Sequence, residues 1–173
     1  MKSIWIIIFV LSFGSYAHAQ KPTAKVTAKI DSAAKLELKE KFEPIRDPAA
    51  DLKTAIATAK RDGKRILLDV GGEWCVWCHI LDGYIAANPD LPKILNDNYV
   101  WLKVNMSEEN ENKAFLSAYP EIAGYPHIFV LETDGTFLHS QDTSPLESKK
   151  SYDNARFKEF LLKWIPEKKN AVR

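Results

Sequence analysis

Cys75 and Cys78 are the only cysteines of the chain. They stand in Trp74-Cys75-Val76-Trp77-Cys78-His79, directly after the apolar run Ile66-Leu67-Leu68-Asp69-Val70. A strand that delivers a C-x-x-C pair onto the start of a helix suits disulfide exchange. Backbone N–H groups at a helix N-terminus carry partial positive charge, so a cysteine there ionises more readily and becomes a nucleophile. The second cysteine, one helical turn on, is placed to attack the mixed disulfide that the first one makes. The same letters also spell the C-x-x-C-H attachment site of c-type haem, for which Met106 or His127 is a nominal axial ligand. A haem site does not need a strand ending so close to its first cysteine. Zinc fits less well, because no second pair has zinc-site spacing. The expectation is no metal and no cofactor other than a redox-active Cys75–Cys78 disulfide.

The compartment bears on that chemistry. Lys2, the apolar stretch Ile4 to Phe13 and Ala17-His18-Ala19 predict a signal peptide over residues 1–19, cleaved near Ala19. The stretch is too short to span a bilayer of about 30 Å as a helix, so stable membrane insertion is not expected. Outside the cytoplasm, secreted domains often carry several disulfide staples. Here the single pair closes a very short loop and gives little entropic stabilisation, which favours a redox role over a structural one. Of the 24 basic residues, all but Lys2 lie beyond the signal peptide, and these equal the 23 acidic ones in number. That balance gives no reason to expect a nucleic-acid partner or an anionic membrane surface.

The elements that must position the pair follow from periodicity. Residues 20–47 are rich in Lys and Ala and read as an N-terminal extension. A domain over residues 48–168 follows, then a short tail at 169–173. Pro48 to Arg61 predicts a helix, closed by Gly63. Arg65–Val70 is a strand, and Trp77, Ile80, Leu81, Tyr84 and Ile85 mark a helix after the motif. Asn88-Pro89 breaks it before a short helix from Leu91 to Asn96. Tyr99 to Val104 is a strand, and Ala114–Tyr119 reads as a helix end. His127–Glu132 and Thr136–His139 form a hairpin about Asp134-Gly135. Ser140 to Asp153 is expected to be a polar loop, and Arg156 to Ile165 a last amphipathic helix. This order makes an α/β domain, a mixed central β-sheet with helices on both faces.

With that order in hand, residues 48–166 resemble the thioredoxin superfamily. Within it they are similar to exported thioredoxin-like proteins and to the periplasmic C-terminal domain of the membrane thiol reductase DsbD. Three separated features carry the resemblance: Asp69 six residues before Cys75, Gly124-Tyr125-Pro126 ahead of the hairpin, and the Asp134-Gly135 hairpin with its terminal helix. The resemblance implies a thioredoxin fold, Cys75 as attacking thiolate and Cys78 as a deeper resolving thiol. It implies Asp69 as general acid–base for Cys78, with its proton held to higher pH by burial. Pro126 is then a cis-proline beside the disulfide, with the backbone of Tyr125 open to a substrate strand. Trp74 and Trp77 are expected to shield the pair and meet substrate, with Glu73 and His79 as modulators. His127 is expected in the core and His139 at the surface. No histidine separates the cysteines, which favours a reductase over an oxidase or isomerase. A net reductase implies protein disulfide substrates and a membrane thiol-reductant partner, in the periplasm or another exported compartment. The reading from a different class is a non-catalytic binding module that recognises a partner through Trp77, Tyr125 and the 140–153 loop.

Overall fold

The computed structural model describes residues 41–167. The signal-peptide reading of residues 1–19, the extension up to residue 40 and the 169–173 tail lie outside the described residues. The first helix among the described residues, α1 (Pro48–Asp62), starts where Asp47 accepts hydrogen bonds from the N–H groups of Ala49 and Ala50, with Pro48 in the first turn. It ends at Gly63, whose φ of 65° is left-handed and costs glycine nothing.

The sheet is built around β1 (Arg65–Gly71). Ile66 to Val70 are buried on both faces, as a near-continuous apolar run in a sandwiched sheet should be. Its parallel neighbour is β2 (Tyr99–Asn105), and its antiparallel neighbour is β3 (His127–Leu131). β4 (Phe137–Asp142) lies outside β3, giving the order β2-β1-β3-β4. Between them run α2 (Val76–Ala87), α3 (Asp90–Asn98) and the single turn α4 (Lys113–Leu116). The last helix among the described residues is α5 (Asn154–Lys163), capped by Asp153 through the Arg156 N–H.

Strand alternation divides the core into two layers. Ile66, Leu68, Val70, Leu102, Phe129 and Leu131 pack on Ala55 and Ala59 of α1. Leu67, Ile128 and Val130 point the other way, into α2, α3 and α5, where Leu81, Leu91 and Phe157 meet them. This is a thioredoxin fold. At the start of β1, Arg65 donates to Glu132 and to the carbonyls of Trp164 and Ile165, at 3.1 and 3.2 Å for the two carbonyls. No helix among the described residues is long and apolar enough to cross a membrane.

Two segments differ from the sequence reading. The 140–153 stretch is not an unstructured loop: β4 runs on to Asp142, and a 3-10 turn (Ser144–Leu146) leads into a small hairpin of β5 (Glu147–Ser148) and β6 (Ser151–Tyr152). Its polar residues bond inward. Thr143 Oγ1 donates to the Pro126 carbonyl at 2.8 Å, and Leu146 and Tyr152 are buried. Residues 41–47, assigned to the extension, lie on the domain, with Phe42 buried in it.

Phe129 is fully buried on the α1 face and stacks on Tyr119 at 4.8 Å. Truncation there leaves a cavity the sheet cannot collapse into, so Phe129→Ala should lose about 3–5 kcal/mol in urea unfolding.

Candidate active site

β1 ends at Gly71, and Gly72-Glu73-Trp74 turns the chain onto α2 with Cys75 as the capping residue. Cys75 Sγ accepts a hydrogen bond from the Cys78 N–H at 3.1 Å, and the Cys75 carbonyl accepts from the same group at 3.1 Å. The sulfur thus occupies the place where a helix start favours negative charge. Cys75 and Cys78 are joined as a disulfide. Both are well covered, Cys75 at 3% exposure and Cys78 at 1%. Phe42, Trp77 and Tyr125 pack around them.

Asp69 and Gly71 are two residues apart on one strand and face the same side. At Gly71 a Cβ would stand 2.5 Å from Cys78 Sγ and 3.1 Å from the Phe42 ring. Only glycine leaves room there for the second sulfur. Two residues back, the Asp69 carboxylate is 1% exposed and meets Lys103 Nζ at 3.2 Å. Lys103 is the residue opposite Asp69 in the β1–β2 register. It also donates to both oxygens of Asp82 on α2, at 2.9 and 2.8 Å.

The three groups therefore form a buried carboxylate–ammonium–carboxylate row. Burial pushes the Asp69 acid up to about 6, against the opposing pull of Lys103 and with a further push from Asp82. The other oxygen, Oδ1, is buried without a protein hydrogen-bond partner, and the Trp101 indole adds only a small downward pull. Asp82 is also raised, again by burial first and against Lys103. Burial acts to lower Lys103, but the two carboxylates outweigh it and hold the ammonium above its usual range.

Around this centre, Trp74 is 56% exposed and its indole N–H donates to the Met106 carbonyl at 2.7 Å. Its ring meets Tyr125 edge-on at 5.6 Å. The Tyr125–Pro126 peptide bond is cis. A cleft of about 550 Å³ beside Trp74 is lined by Met106, Ser107, Glu108, Glu109 and Glu111. Trp77 is half-buried against Tyr152 at 5.8 Å. His79 is exposed, with Nε2 at 2.9 Å from the Glu73 carbonyl oxygen, so it braces the turn. The Glu73 carboxylate accepts the Phe42 N–H at 2.9 Å. His127 is buried with Nε2 at 2.8 Å from Ser140 Oγ, and burial lowers its pKa. His139 is half-buried and stacked on Trp164 at 4.7 Å. Among the described residues no group of three His, Cys, Asp or Glu side chains is arranged to hold a metal ion.

Cys75, Cys78, Trp74, Trp77 and Tyr125 are thus brought together, with Asp69 behind the pair and Pro126 next to Tyr125. Four positions escape the sequence reading: Phe42, Gly71, Asp82 and Lys103. The signal for Lys103 was present, since it interrupts an apolar strand just as Asp69 does.

Comparison with known proteins places the chain. The family model described as Thioredox_DsbH, protein of unknown function, DUF255, matches residues 34–170. A thiol:disulfide interchange protein DsbD from Colwellia psychrerythraea is 30% identical over 96 residues, covering 55% of this chain and 16% of that protein. The chain thus spans about a sixth of that relative. The crystal structure of a disulphide isomerase from Xylella fastidiosa Temecula1 superposes with a TM-score of 0.61 at 22% identity, over 70% of this chain and 94% of that one. The oxidised DsbD C-terminal domain of Neisseria meningitidis gives 0.51 at 20% identity, over 68% and 95%. These last two show the shared fold.

The raised acid has a consequence for stability. Asp69 ionises near 6 in the native protein and at about 3.9 in an unfolded chain. The native state holds this proton more tightly, so the group's stabilising contribution is complete below about pH 4 and is lost as pH rises through about 6. In urea unfolding, the stability of the unmodified chain relative to Asp69→Asn should fall by roughly 2–3 kcal/mol between about pH 4 and about pH 7.5. A difference that stays flat or rises contradicts the assignment.

Proposed function

We propose that this chain, which belongs to the Thioredox_DsbH family, is a thiol–disulfide oxidoreductase that reduces protein disulfides through Cys75 and Cys78. The observation that carries the reading is Cys75 at the head of α2, its sulfur bonded by the Cys78 N–H and joined to Cys78. The reduced Cys75 thiolate attacks one sulfur of a substrate disulfide. A Cys75–substrate bond forms, the substrate's S–S bond breaks, and the departing thiolate takes a proton from water. Cys78 then gives its proton to the Asp69 carboxylate and attacks Cys75. This forms the Cys75–Cys78 bond and releases the second substrate thiolate. Two electrons have passed from the dithiol to the substrate.

Asp69 suits that role because burial leaves its carboxylate a stronger base than a solvated one, with Lys103 keeping it in reach of ionisation. Trp74, Trp77 and Tyr125 surround the pair and offer apolar contact to a substrate, and the backbone at Tyr125-Pro126 offers a strand to pair with. The Val76-Trp77 dipeptide puts no histidine between the cysteines, so the thiolate lacks one source of stabilisation found in strong oxidants; this supports reduction as the direction. Glu73 and His79 act on the turn, through Phe42 and the Glu73 carbonyl. The apolar stretch and small-residue site ahead of residue 20, together with the DsbD relatives, support export to the periplasm. Return to the dithiol there needs a thiol reductant reached through the membrane, of the kind DsbD relatives suggest.

Insulin reduction with dithiothreitol tests the reading. Cys75→Ser should lower the rate by about 100-fold or more, and Cys78→Ser should accumulate a mixed disulfide with substrate. The resolving step should slow as pH falls below about 6, and Asp69→Asn should abolish that dependence. A Cys75→Ser protein as active as the parent sinks the assignment and leaves the binding-module reading.

A further inference from the structure

Exchange chemistry needs two sulfurs and a proton carrier. It does not need residue 42, yet the chain draws Phe42 across the end of β1 and buries it to 1% exposure. Three contacts fix it there. Its N–H donates to Glu73 Oε1 at 2.9 Å. Its ring fills the space beside Gly71, 3.1 and 3.3 Å from where a Cβ would stand, in the same gap that holds Cys78 Sγ. Lys103 Nζ lies over its face, 4.1 Å from the centroid. Two residues on, the Pro44 carbonyl accepts from Asn110 Nδ2 at 2.7 Å, which ties this strap to the loop beyond β2. Arg46 pairs with Asp51 of α1 at 2.7 Å and anchors its other end.

A phenyl ring at this point has no hydrogen bond to give, and it fills room that water would take. It still attracts the ammonium through its face, an interaction that strengthens when water is removed. The ring therefore packs in one cluster with the two cysteines and meets the cation of the buried row. The charged and titratable groups that face the row are Lys103 from β2, Asp82 and His79 from α2, Glu73 from the turn and Tyr152 from β6.

We propose that Phe42 is a positioning residue: it walls the Cys78 sulfur and the Lys103 ammonium off from water, so that Cys78 exchanges only with Cys75 and releases its proton only into the Asp69–Lys103–Asp82 row. The proposal rests on the thiol–disulfide reading above. In the resolving step, the Cys78 proton then has one acceptor, the Asp69 carboxylate, as the Cys75–Cys78 bond forms and the Cys75–substrate bond breaks. Small external disulfides and oxidants are met by Cys75 alone.

Alkylation tests this without turnover, and so separates it from the activity assay. In the full chain carrying Cys75→Ser, iodoacetamide labelling of Cys78 is followed by mass spectrometry with Phe42 intact, as Phe42→Ala and as Phe42→Leu. The alanine variant should label about ten-fold faster or more, and leucine, which keeps most of the bulk, should restore the rate to within about three-fold of the parent. A Phe42→Ala protein labelled no faster than Phe42→Leu overturns the proposal. Should circular dichroism show that alanine unfolds the domain, Phe42→Val is read by the same criterion. Insulin reduction by the unmodified chain, measured separately, decides the exchange reading on its own.

Discussion

A carboxylate buried in a β-sheet is tolerable only if something meets its charge or keeps its proton, because moving an ion out of water costs several kcal/mol. Asp69 has both remedies. Lys103 stands opposite it in the parallel register, and burial raises the acid towards neutrality. Much of the site follows from that one pairing. The ammonium has capacity to spare and draws Asp82 from α2 into the same row, so the helix bearing the cysteines is held to the strand that precedes them. The face of Lys103 not used by carboxylates rests on Phe42. Sheet, helix and strap thus converge on a single cation.

Strand alternation then decides what the sulfurs see. Asp69 and Gly71 share a face, and the missing side chain at 71 is what admits Cys78. The acid sits two residues back on the face that admits Cys78, while Cys75 caps the head of α2. A helix terminus at Cys75 and a buried acid on the Cys78 side are thus set by a strand and a turn of fixed length. The aromatic residues Trp74, Trp77 and Tyr125 form the surround, each braced: Trp74 by the Met106 carbonyl, Trp77 by Tyr152 and Tyr125 by Trp74.

The sequence carried the strand, the redox turn, the following helix and the hairpin plainly, because each has a local signal: an apolar run, a cysteine spacing, a 3.6 period, an Asp-Gly turn. Asp69 was legible as a charge in an apolar strand. Lys103 has the same signature in Tyr99 to Val104, but its meaning depends on register between strands, which no single segment encodes. Asp82 sits on a helix whose exposed face is free to carry acids, so nothing local sets it apart. Phe42 was illegible for a different reason. It lies in a Lys- and Ala-rich stretch with nothing local that ties it to the domain, and its burial depends on Gly71, Cys78 and Lys103, all distant in sequence. The 140–153 segment was polar by composition, yet Thr143 and Tyr152 face inward because the Pro126 carbonyl and Trp77 give their hydroxyls partners.

Arg65 shows how far the redox strand depends on chain about 100 residues further on. Its guanidinium holds the carbonyls of Trp164 and Ile165, at the end of β1 away from the cysteine turn. A polypeptide growing from its amino end thus finishes the cysteine turn long before the acceptors that moor the base of that strand exist. The base of the strand that leads into the cysteine turn is thus moored only once the segment that closes α5 has been added.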